Sequence, residues 1–164
     1  MIVGGIDPGL TGAIASWDGS NLHIEDIPIV KAQGKKGGEI NMPGLLDLID
    51  FTFCDMDHCY IEQVNAMPKQ GVSSTFKFGY TAGALKMGIL SARIPVTMVS
   101  SVKWKSELGL NSDGEKSRSR ALELFPSYSQ YFTRKMDHNR AEAALLAYYG
   151  WKTLKGELVR STRT

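Results

Sequence analysis

Cysteine is scarce in this sequence, Cys54 and Cys59 being the only two. So few exclude a disulfide-stapled scaffold. Together with His58 they resemble a sparse metal cluster, but the alternation of a strand turns His58 and Cys59 to opposite faces, and small apolar fillers are the simpler reading. Long apolar runs are missing as well. None approaches the ~20 residues needed to span a bilayer. Met1 leads into a strand-like segment ending at Asp7, without the basic start and apolar core of a secretory signal. An intracellular protein with no membrane partner and no organic cofactor is expected. Charge of one sign is lacking too. The formal net charge is +2, so overall charge does not by itself announce a polyanion as partner.

What is present is the composition of an ordinary folded domain, 43% apolar and 22% charged over 164 residues, enough for one core. Met1–Ile6 is an apolar, glycine-rich strand ending at Asp7, and Pro8-Gly9 is a turn. Gly12–Trp17 and Asn21–Ile27 read as two further strands joined by a hairpin at Asp18-Gly19-Ser20. Lys31–Asn41 carries Gly34, Gly37 and Gly38 among lysines without periodicity, which reads as a mobile loop. Pro43 starts a helix to about Phe51, His58–Glu62 is a short strand, and Asn65–Gln70 is a loop. Ser73–Ala92 places Phe76, Tyr80, Gly83, Ala84, Met87 and Leu90 at helical spacing, so a long helix packed closely on a sheet or another helix is expected. Val96–Val99 is the next strand. Ser100 or Ser101 caps a short helix to Leu108, Asp113 or Gly114 opens another that Pro126 ends, and Asp137 caps a last helix to Thr153. A meander followed by alternating helices and strands fits an α/β fold with a mixed five-stranded sheet flanked by helices. Residues 1–153 are expected to form one domain and 154–164 a polar basic tail.

Acids stand at positions where carboxylates are unfavourable unless they have work to do. Asp7 ends a strand in Gly5-Ile6-Asp7-Pro8-Gly9, Glu62 ends another in Tyr60-Ile61-Glu62-Gln63, and Glu142 faces inward in Arg140-Ala141-Glu142-Ala143-Ala144-Leu145. A carboxylate beside a core must be paired or bound to a cation. Several brought together repel, and a divalent metal resolves the repulsion. Oxygen ligands of this kind suit Mg²⁺ or Mn²⁺. Two such ions about 3.5–4 Å apart activate water and stabilise the leaving oxygen in phosphodiester cleavage. The same pattern is met if Asp7 only organises a turn and Glu142 only pairs with a lysine or arginine. Basic residues come in groups: Lys31, Lys35 and Lys36; Lys103, Lys105, Lys116, Arg118 and Arg120; Arg134, Lys135 and Arg140. Each group alone reads as a solvated face, but beside a carboxylate site they point to nucleic acid.

Taken in order, four stretches resemble RuvC-type Holliday junction resolvases of the ribonuclease H-like superfamily. They are Gly5-Ile6-Asp7-Pro8-Gly9-Leu10-Thr11-Gly12; Ile61-Glu62-Gln63-Val64; Val102-Lys103-Trp104-Lys105 followed by Gly114-Glu115-Lys116-Ser117; and Asp137-His138-Asn139-Arg140-Ala141-Glu142 through Ala147. The resemblance spans residues 1 to about 150 and is greatest to the phage and organelle branch, in which an Asp-His dipeptide precedes the Ala-Glu pair. It implies a ribonuclease H-like fold and a homodimer, a crossover junction endodeoxyribonuclease that makes paired nicks in four-way junction DNA. It also implies Mg²⁺ or Mn²⁺, two ions per site, at Asp7, Glu62, Asp137 and Glu142. Lysines matched by Lys103 and Lys116 lie near the active site in that family and contact the cleaved strand. Lys116 is accordingly expected in catalysis, and Lys103, Lys105 and Lys116 on DNA. Lys35, Lys36 and Arg140 are expected to make sequence-blind phosphate contacts farther out. The small residues Gly79, Ala82, Gly83, Ala84 and Gly88 make the 73–92 helix the candidate dimer interface.

The chain departs from the bacterial members twice. In those, the last two acids lie three apart on one helix face; here position 139 is Asn, and the acid preceding Glu142 is Asp137. Five residues are about 500° of rotation, so within a continuous helix the two point apart, and Asp137 contributes only from a cap. His138 shares the face of Glu142 and is the second candidate, as ligand or proton shuttle. The bacterial members also place a wedging aromatic three residues after the second acid, where this chain has Asn65. Met67 or Phe76 then becomes the candidate to touch opened junction bases, against the alternative that Phe76 is core. Competing functions are another ribonuclease H-like nuclease acting on branched DNA or RNA–DNA hybrids, and a nuclease-dead DNA-binding protein. An actin-like ATPase needs two lobes and a second phosphate loop, for which the chain is too short.

Overall fold

A computed structural model describes residues 1–31, 38–65 and 71–158. Strands β1 (Val3–Asp7), β2 (Ala13–Trp17) and β3 (Leu22–Asp26) form the expected antiparallel meander. Its second turn closes because the Asp18 carboxylate accepts from the backbone N–H groups of Ser20 and Asn21, both at 2.7 Å, while Gly19 takes a φ of +105°. The mobile loop expected over Lys31–Asn41 is corrected at its flanks. Ile29–Lys31 (β4) and Gly38–Ile40 (β5) pair antiparallel as a small ribbon, each too short to display alternation in sequence. Lys35 and Lys36 lie outside the described residues, as does Met67.

Helix α1 (Met42–Leu48) starts where the Asn41 side chain accepts from the Gly44 N–H at 3.1 Å, with Pro43 in its first turn, and it runs on into a π-helical stretch, Ile49–Phe53. Strand β6 (His58–Gln63) then lies parallel to β1. Helix α2 (Val72–Ser91) leads to β7 (Val96–Ser100), parallel to β6, so the main sheet has the order β3-β2-β1-β6-β7. Ser100 caps α3 (Ser101–Glu107) and Asp113 caps α4 (Gly114–Leu124). Two 3₁₀ stretches, Pro126–Phe132 and Lys135–Asp137, carry the chain to α5 (His138–Leu154). Among the described residues no helix is long and apolar enough to cross a membrane.

The sheet has a core on each face. Ile6, Ile14, Leu45, Ile49, Leu85 and Ile89 fill the side covered by α1 and α2. Val3, Ala15, Tyr60, Trp104, Phe125 and Leu145 belong to the side covered by α3, α4 and α5. Alternation along β1 turns Gly5 and Asp7 toward α5, the face opposite Ile6. Here the two backbones nearly touch: a Cβ on Gly5 would fall 2.3 Å from the Ala143 carbonyl oxygen and 2.3 Å from the Ala147 nitrogen. The buried alanines 141, 143, 144 and 147 give α5 the matching smooth face.

Helix α2 corrects one expectation. Its sheet-facing residues are Thr81, Ala82, Leu85, Gly88 and Ile89, whereas Phe76, Tyr80, Met87 and Leu90 are exposed, Phe76 by 74%. The helix is apolar on two sides, so spacing alone marks the outward stripe as readily as the inward one. Phe76 is therefore not core.

The Gly5 contact generates a prediction. Backbone atoms cannot give way as a side-chain tip can, so Gly5→Ala is expected to destabilise the fold by about 3 kcal/mol in chemical denaturation. A loss below about 1 kcal/mol would show that α5 has room to lift from β1.

Candidate active site

The site is built by strand alternation and register. Asp7 is the last residue of β1 and points to the α5 side. The parallel pairing of Ile6 with Ile61, carried one step further, sets Asp7 beside Glu62 at the ends of adjacent strands. Glu142 directly precedes Ala143, the residue pressed against Gly5, so α5 brings a third carboxylate to the same corner. Two of these acids meet side-chain donors. Trp104 Nε1 donates to Glu62 Oε2 at 2.8 Å. Lys105 Nζ and Ser117 Oγ both donate to Glu142 Oε1, at 2.8 and 3.0 Å. The Lys105 and Glu142 side chains are each only 11% exposed.

The charges do not balance. Burial first, then repulsion from Glu142 and Glu62, holds the Asp7 carboxyl well above the usual carboxylate range, against the pull of Lys105. Burial also raises Glu62, although the Trp104 hydrogen bond and Lys105 oppose it. Three carboxylates thus lie within electrostatic reach of one another around one ammonium. An open pocket of about 600 Å³ reaches this corner, lined by Asp7, Lys105, His138, Asn139 and Glu142 among others.

The remaining sequence-derived residues divide. His138 lines the pocket with Asp7 and Glu142, as its helical spacing from Glu142 implies. Asp137 is not gathered with them. It is 2% exposed, and its carboxylate turns back to the Arg134 N–H at 2.7 Å and the Arg134 guanidinium at 2.7 and 3.0 Å. Burial alone would raise its pKa, but these bonds outweigh burial and hold it below the ordinary value. Asp137 lines a neighbouring cavity of about 440 Å³ instead. Arg140 is not a free phosphate contact either: its guanidinium grips Asp26 through two 2.6 Å hydrogen bonds. Lys105, expected on DNA, is buried in the site. Lys103 and Lys116 are exposed, and neither lines the pocket.

Helix geometry explains the exchange of lysines. Lys103 and Lys105 are about 200° apart on α3, so only one can face the site. On α4 the inward positions are Ser117 and Ala121, which turns Lys116 outward. Trp104 and Ser117 are the site residues to which sequence reasoning gave no role. The signal was there in Ser117, a small hydroxyl in phase with Ala121.

Among the described residues no group of at least three His, Cys, Asp or Glu side chains is arranged to hold a metal ion. The donor chemistry nevertheless fits a hard divalent cation: all-oxygen ligands, buried and mutually repelling, with Asp7 lacking a full counter-charge. Lys105 occupies the centre of that arrangement.

The sheet order and its covering helices define a ribonuclease H-like α/β fold with an acidic site at the ends of its central strands. No protein-family model matches the chain, and no curated protein matches it. Among solved structures it is similar to RuvC of Thermus thermophilus in complex with Holliday junction substrate, with a TM-score of 0.65 at 15% identity over 96% of this chain and 97% of that one. A second structure of Thermus thermophilus RuvC gives a TM-score of 0.60 at 15% identity over 96% and 98%. At this identity the likeness establishes the fold.

The raised carboxyls predict a pH dependence. Asp7 and Glu62 hold their protons to higher pH in the folded chain than at their ordinary values of 3.8 and 4.5. Their contribution to stability is therefore complete below those values and is lost as pH rises through the folded-state range. In chelator, Asp7→Asn is expected to unfold a few degrees above wild type near neutral pH, with the difference shrinking as the pH approaches the ordinary carboxylate range. An Asn variant less stable than wild type at neutral pH would contradict the charge imbalance.

Proposed function

We propose that this chain is a structure-selective DNA endonuclease that resolves four-way junctions by paired, metal-dependent phosphodiester hydrolysis in a homodimer. The observation that carries the reading is the gathering of Asp7, Glu62 and Glu142 at one corner, with Asp7 and Glu142 lining its pocket, in a fold that matches a junction-bound RuvC over 96% of this chain. Those carboxylates are the proposed ligands of Mg²⁺ or Mn²⁺, which when bound supply an activated water and charge stabilisation for the leaving oxygen. Trp104 and Ser117 fix one oxygen each of Glu62 and Glu142, so both acids are held in single orientations. His138 is the better-placed fourth ligand or proton shuttle, Asp137 being held by Arg134. Exposed Lys103 and Lys116, with Lys135 on the pocket lining, make sequence-blind contacts to the DNA backbone. Phe76 lines a cavity of about 270 Å³ with Leu10 and Tyr80 and is the proposed contact to opened junction bases.

The outward stripe of α2 supports a dimer over a monomeric ribonuclease H. Beyond Phe76, Tyr80, Met87 and Leu90 are exposed along it, and a Cβ on Gly79 or Gly83 would meet nothing within 4 Å. The two glycines leave a flat centre over which a second helix can approach closely, rimmed by apolar side chains. Ala82, Ala84 and Gly88 instead pack inward.

Cleavage of a synthetic four-way junction beside linear duplex tests the activity. Wild type is expected to nick the junction with Mg²⁺ or Mn²⁺ and to be silent in chelator. Asp7→Asn and Glu62→Gln should each slow single-turnover cleavage by roughly a hundredfold or more while still binding DNA. His138→Ala should slow it more than Asp137→Asn does; the reverse order would return the fourth position to Asp137. Full cleavage in chelator would overturn the mechanism. Assembly is tested by sedimentation. Wild type is expected as a dimer, and Gly83→Glu with Met87→Glu as a folded monomer that no longer makes paired nicks. A wild-type monomer, free and junction-bound, would contradict junction resolution.

A further inference from the structure

Lys105 has no role in the reading above, yet it sits at the centre of the site. We infer that Lys105 is the resident counter-cation of the metal-free protein, holding Glu142 where a divalent ion would bind and withdrawing from it when the ion enters. The inference rests on the metal reading of the site and adds a step that reading does not contain.

Geometry carries the argument. The Lys105 ammonium lies 2.8 Å from Glu142 Oε1, and that same oxygen also accepts from Ser117, so it is already doubly donated. The pair is nearly closed to solvent, each side chain 11% exposed. A buried carboxylate left without a partner is strongly unfavourable, so in the absence of a metal some cation must stand there. A divalent ion bound to Glu142 repels an ammonium on the same carboxylate, so entry of the ion favours withdrawal of Lys105. This accounts for the lack of a ready-made metal cage among the described residues despite an all-oxygen donor set. Lys105 also has somewhere to go. Besides the active-site pocket it lines a second cavity of about 350 Å³, with Val102, Ser106, Leu110 and Asn111. Its flexible four-carbon stem can swing the ammonium between the two without moving α3.

Two measurements on the full chain test this. The first uses wild type alone: ¹H–¹⁵N spectra of the lysine ammonium groups, with the Lys105 signal assigned by its loss in Lys105→Met. A protected Lys105 signal is expected in chelator, and it should shift or vanish at saturating Mg²⁺. A signal unchanged at saturation overturns the proposal, whether or not the variant folds. The second is Mn²⁺ binding followed by electron paramagnetic resonance, with Asp7→Asn as the control that places the ion in this site. Lys105→Met is expected to melt below wild type in chelator yet bind Mn²⁺ roughly tenfold more tightly, because one repelling charge is gone. Equal or weaker binding by Lys105→Met, with wild type binding and Asp7→Asn not, overturns the counter-cation role and leaves the metal reading standing. No Mn²⁺ binding by any form overturns both.

Discussion

The contact between Lys105 and Glu142 joins parts of the chain that sequence keeps far apart. The lysine comes from the helix after β7 and the acid from the last helix, yet they meet at 2.8 Å with little access to water. Around that pair stand Asp7 and Glu62, which the parallel register of β1 and β6 places side by side. Charges gathered this way are unfavourable for folding by themselves. The neighbouring structure holds them nonetheless: Trp104, fully buried, fixes Glu62, and Ser117, also fully buried, fixes Glu142. A corner kept at such expense, and open to a large pocket, is the physical basis for reading it as a catalytic centre.

That corner depends on how closely α5 lies on the sheet. Gly5 of β1 leaves no Cβ beneath the Ala143 carbonyl, and Gly150 does the same over Tyr60, where a Cβ would fall 2.3 Å from the ring. With bulkier residues at these crossings α5 would ride higher and Glu142 would move away from Asp7. The start of α5 is tied down separately. Asn139 donates to the Thr11 carbonyl at 2.7 Å, Arg140 grips Asp26, and Arg134 grips Asp137. These ties explain why several polar residues near the site are structural. Arg140 clamps the helix to the meander, Asp137 ties the turn before the helix to Arg134, and neither lines the active-site pocket.

Much of this was legible in the residues. The meander, the two parallel strands and the five helices follow from alternation, caps and turn residues, and Asp7, Glu62 and Glu142 stood out because acids at strand ends and on an inward helix face need a reason. The resemblance of four motifs to junction resolvases anticipated the ribonuclease H-like fold. What sequence could not supply was orientation. Which of Lys103 and Lys105 points inward depends on the phase of α3 against the sheet, and which stripe of α2 is buried depends on packing, since both stripes are apolar. The orientation of Asp137 was hidden for a related reason. Its partner Arg134 lies three residues back across a 3₁₀ turn that has no hydrophobic period to reveal it. The β4–β5 ribbon escaped notice because three-residue strands carry too little pattern.

On this proposal the carboxylate corner is a cation site closed by its own lysine. The most direct test is an anomalous difference map from crystals soaked in Mn²⁺. Manganese is expected against Asp7, Glu62 and Glu142, with the Lys105 ammonium displaced from Glu142. Manganese bound at Asp137 instead, or a saturated crystal with no peak at this corner and Lys105 still on Glu142, would contradict it.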